Sequence, residues 1–165
     1  MEERASDKNA FREQALSYPA LGAMTGGFLG LLGIFLGWFV HGAQLTDGGV
    51  DSQVLRGTQD LSGQLAALGA IGSFLGGGAM LLMADARVSH WATMAAGVGA
   101  VFLLAFSAAG LFRVDAALQS AGAVAGSAGT AFGAYLSALG GVIATASVML
   151  GIVRDRESAE TRGWL

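Results

Sequence analysis

The stretch ALGAMTGGFLGLLGIFLGWFV, Ala20–Val40, contains no charged residue in 21 positions. As a helix it is long enough to cross roughly 30 Å of hydrocarbon. On a helical wheel at about 100° per residue, Gly22, Gly26, Gly30, Gly33 and Gly37 fall within an arc of about 80°. Phe28, Leu32, Phe35 and Phe39 take the far side. One face is bare backbone and the other is bulk. In lipid, where acyl chains already solvate leucine, such a bare face lets a second helix approach closely.

The remainder of the chain agrees with a membrane setting. Of 165 residues, 53% are hydrophobic and only 13% charged, about half the charged fraction of an ordinary soluble domain. A net charge of −3 offers no basic patch, so nucleic acid is not an expected partner. There is no cysteine, which excludes disulfides, iron–sulfur clusters and thiolate metal sites. The first nineteen residues mix Glu2, Glu3, Asp7 and Glu13 with Arg4, Lys8 and Arg12. That mixture, followed by so long an apolar run, reads as a retained signal anchor and not as a cleavable signal.

Three further apolar runs follow. The second, 61–84, places Gly69, Gly72, Gly76 and Ala79 on one side. The third, 91–112, opens on Trp91 and is bulkier, with no tidy glycine stripe. In the last, Ala116–Val153, Gly122, Gly126, Gly129, Gly133, Ser137, Gly140, Ala144, Ser147 and Gly151 lie within about 80° of one another. The stripe from Gly122 to Gly151 would extend about 44 Å as helix, more than a bilayer core needs. The expected span is therefore 129–153, with 116–128 outside it as a loop or helical extension.

The expected fold is thus all-α: a polytopic four-transmembrane-helix bundle with packing stripes on the first and last helices. Its parts are a cytoplasmic segment 1–19, spans at 20–40, 61–84, 91–112 and 129–153, connecting loops 41–60 and 113–128, and a cytoplasmic tail 154–165. The helix-packing residues are Gly22, Gly26, Gly30, Gly33, Gly37, Gly72, Gly76, Gly126, Gly129, Gly133, Ser137 and Gly140. Tyr18, Trp38 and Trp91 sit where interfacial anchors belong. Pro19 suits the first turn of a helix. Lys and Arg accumulate at the N-terminus (Arg4, Lys8, Arg12), at Arg87 and at the C-terminus (Arg154, Arg156, Arg162), against Arg56 and Arg113 in the two alternate loops. The positive-inside rule then puts both termini in the cytoplasm, in a multi-pass cell-membrane (inner-membrane) protein.

Chemistry has few places to reside. The spans carry no ionisable side chain, and such groups at depth are what mark pumps and intramembrane enzymes. His41 and His90 fall on opposite sides of the membrane and cannot share a metal. Asp47, Asp51 and Asp60 lack the spacing of a calcium loop. Arg113 and Asp115 read as a surface ion pair. No catalytic, cofactor-binding or metal-ligating residue is assigned, and no cofactor is expected.

The arrangement resembles small tetraspan membrane proteins of high-GC bacteria, whose plan is loosely claudin-like. The resemblance lies in GWFV (37–40) leading into a Gly/Asp-rich loop, and in GAYLSALGGV (133–142) in the final span. The claudin pattern of a tryptophan followed by a paired-cysteine loop is missing, since cysteine is absent. The resemblance implies four helices and puts no residue in a named role. The expected function is that of a non-catalytic accessory or scaffold subunit of a larger membrane complex. Its expected partners are the lipid bilayer and other integral membrane subunits or copies of itself. A passive homo-oligomeric channel is the alternative.

Overall fold

The computed structural model describes residues 2–44, 50–82, 86–121, 129–130 and 132–162. Four α-helices carry the architecture: α1 (Glu2–Phe35), α2 (Leu61–Leu82), α3 (Ala86–Ala121) and α4 (Phe132–Arg162). Each is long and apolar enough to cross a membrane, over Tyr18–Phe35, Leu61–Leu82, His90–Arg113 and Phe132–Arg154. They close into a ring in which α1 touches α2 and α4, and α3 touches the same two from the other side. The diagonal pairs meet only sparsely.

The expected segment boundaries move in four places. The helix of the first span starts at Glu2 and runs through Pro19, which is therefore not a first-turn residue. Proline removes one helical hydrogen bond and crowds the preceding turn. Here it packs against α4, where a Cβ on Gly151 would lie 3.0 Å from Pro19 Cβ. At its other end α1 stops at Phe35, so 37–40 is not the end of a span. The residues 86–90, between the expected second and third spans, already belong to α3. That helix continues to Ala121, so part of the expected loop 113–128 is helical.

The largest departure is a sheet. Strands β1 (Gly37–Gln44), β2 (Val50–Arg56) and β3 (Gly129–Thr130) form an antiparallel sheet in the order β2-β1-β3. The all-α description thus holds for the four long helices and not for the segments between them. Val40 pairs with Val54 on one side and with Gly129 on the other. Gly129, expected in the packing stripe of the last span, is a strand residue. The loop read over 41–60 is largely a hairpin, continued by a short 3-10 helix at Gly57–Gln59.

Between Gly37 and Phe39 the β1–β2 register slips, which leaves Trp38 at a bulge. A bulge re-aims the side chain it carries. Trp38, placed by its position in the sequence as a headgroup anchor, is instead 0% exposed. Its indole N–H donates to the Gly33 carbonyl over 3.0 Å, and it joins Ile34, Ala66, Ala70, Leu103 and Ala134 in one buried cluster. Two glycines make the slot. A Cβ on Gly57 would lie 2.8 Å from the ring at Cε2, and one on Gly110 2.8 Å from Cζ3. The indole therefore joins the sheet to α1 and α3. Deleting so large a buried side chain costs about 3–5 kcal/mol. Trp38→Ala is expected to lower the thermal unfolding midpoint of the detergent-solubilised chain sharply, whereas the outward-facing Trp91→Ala leaves it nearly in place. Equal effects of the two would contradict this placement.

Candidate functional site

Glycine lies in each of the four helix–helix seams of the ring. Along α1 and α4, a Cβ on Gly26 would lie 2.5 Å from the Gly140 carbonyl oxygen, and one on Gly33 2.5 Å from that of Gly133. A Cβ on Gly140 would meet Gly30 N at 2.6 Å, and one on Gly133 the Gly37 carbonyl at 2.7 Å. A Cβ on Gly22 would collide with the Ser147 side chain. Real Cβ atoms do not approach backbone so closely, so these positions exclude any larger residue unless the helices separate. Between α2 and α3, a Cβ on Gly76 would fall 2.5 Å from Ala96 N. Gly72 is looser, its nearest neighbour being Gly99 Cα at 3.4 Å. Gly126 lies outside the described residues.

Other glycines complete the seams, and of these Gly27, Gly77 and Gly141 had not stood out in the sequence. A Cβ on Gly27 would lie 2.7 Å from Phe74 N of α2, and one on Gly77 2.8 Å from the Ala20 carbonyl. Gly69 and Gly141 serve α3 in the same way, against Leu103 and Leu104. Gly27 follows Gly26 by one residue and so points about 100° away. That offset was the available sign of a second packing face on α1.

The polar side chains buried among the described residues are all hydroxyls: Ser62, Ser73, Ser107 and Ser137. Ser73 donates to the Ala23 carbonyl at 3.0 Å, tying α2 to α1. Ser107 and Ser137 share a hydrogen bond of 2.7 Å between α3 and α4. Beside Ser137 the α1 backbone comes close at Gly33. Apolar burial fills the rest of the axis, with Leu103 pressed against Gly30.

At the sheet end, Asp60 starts α2. Its carboxylate accepts the Ser62 N–H at 3.0 Å and also the Ser62 hydroxyl, the arrangement that favours aspartate at a helix N-cap. Its second oxygen lies 3.8 Å from Arg113 of α3. Arg113 is thus placed beside Asp60; the expected pairing with Asp115 lies outside the described side chains. The Arg113–Asp60 pair is partly exposed, and such pairs contribute about 0–1 kcal/mol.

The sequence-derived anchors separate. Tyr18 and Trp91 are 65% and 68% exposed at the end of the bundle away from the sheet, while Trp38 is interior. His90 meets Trp91 edge-on at 6.4 Å, far along the bundle from His41 in β1. Asp47 lies outside the described residues, and Asp51 falls in β2. Among the described residues no group of three His, Cys, Asp or Glu is arranged to hold a metal.

Exposed bulk marks a band around the helices. On α2, α3 and α4 it extends from Leu61 to Leu82, Trp91 to Phe112 and Phe132 to Val153. Each interval covers about 31 Å at the helical rise, close to a hydrocarbon core of roughly 30 Å. The chain matches no model of a known protein family and no curated protein.

The arrangement can hold helices at close distance and display a sheet; the Ser73, Ser107 and Ser137 hydroxyls are occupied by backbone or by one another, whereas the buried Thr145 hydroxyl of α4 meets no hydrogen-bond partner. For the Ser107–Ser137 pair, Ser107→Ala should cost about 0.5–1.5 kcal/mol, as one buried hydroxyl loses its partner. The double variant Ser107→Ala/Ser137→Ala should cost less than the two singles added together. Strict additivity in unfolding measurements would show that the two hydroxyls do not depend on one another.

Proposed function

We propose that the chain is a non-catalytic integral membrane accessory or scaffold subunit of a larger membrane assembly, respiratory or transport in kind. It sits in the cytoplasmic membrane with both termini inside and the sheet outside. One observation carries the proposal: a bundle whose described interior holds only hydroxyl-bearing polar side chains has a sheet locked onto it through the buried Trp38. A span bundle needs no such sheet to remain in lipid. A sheet fixed this firmly is a surface for contact.

The orientation follows from seven basic residues near one end against Arg56 and Arg113 near the other. The tetraspan resemblance, which implies four helices, belongs to the same reading. In this proposal the glycine seams between α1 and α4 act within the subunit and the outward faces meet partner helices. Membrane-depth catalysis and charge-coupled transport draw on Asp, Glu, Lys, Arg or His in the spans, and the four span sequences carry none of these between their terminal residues.

Extraction in a mild detergent from its native membrane, followed by mass measurement of the particle, tests the reading. The expected result is a particle containing this chain and other membrane proteins in fixed ratio. A ring of this chain alone, with solute flux after reconstitution in liposomes, would replace the proposal with a passive channel. A lone monomer would contradict both.

A further inference from the structure

We draw no further inference here: the strongest candidate, the outer edge of β2 (Val50–Arg56), which pairs with no strand among the described residues, carries nothing because the structure does not show what covers it.

Discussion

Direct approach of backbone to backbone between α1 and α4 is the constraint on which the rest of the structure depends. Gly26 against Gly140 and Gly33 against Gly133 leave no room for a Cβ. In water, apolar burial would drive helices together, but in a bilayer lipid solvates leucine as well as a neighbouring helix does. What remains is dispersion at short range and a few interhelical hydrogen bonds. Both need close axes, and glycine provides them. Once α1 and α4 are this near, Gly33 lies beside Ser137, which bonds Ser107 of α3. Gly27 on its second face brings α2 against α1. The ring closes through these contacts.

The same closeness fixes the sheet. α1 ends at Phe35 and gives way directly to β1, so the strand inherits the position of the helix. A bulge then turns Trp38 back into the bundle. Its slot exists because Gly57 and Gly110 present no side chain to the ring. The sheet is therefore held by the core of the bundle and does not hang from flexible tethers. That anchorage gives the sheet the fixed placement that a contact surface requires.

The helical part was legible from residue pattern, and for a definite reason. Runs of apolar residues with glycine on one arc produce the same signal whatever the tertiary surroundings, and the four spans are found where that pattern lies. The sheet was less visible. Its cue was the Asp47-Gly48-Gly49 turn signal between Val40 and Val54, a strong hairpin indicator. Adjacent hydrophobicity in GWFV outweighed it and led 37–40 to be counted as membrane span. Trp38 was misread because aromatic residues at the end of an apolar run usually face headgroups, whereas a register slip is invisible in composition. Asp60 with Ser62 and Arg113 could not be assembled from sequence at all, since the pairing joins residues on two helices. The functional reading depends on surfaces more than on single groups, so the chain discloses its architecture far better than its partners.

The most direct measurement of the central claim compares two glycines in α1 and α2 by unfolding in detergent. Gly26→Leu forces a side chain against the α4 backbone, whereas Gly78 has Met24 Sδ at 3.9 Å as its nearest neighbour. The account predicts that Gly26→Leu destabilises the protein by at least about 1–3 kcal/mol, while Gly78→Leu stays within about 0.5 kcal/mol of the parent. Similar stabilities for the two variants would show that α1 and α4 are not held by backbone contact, and the account would fail.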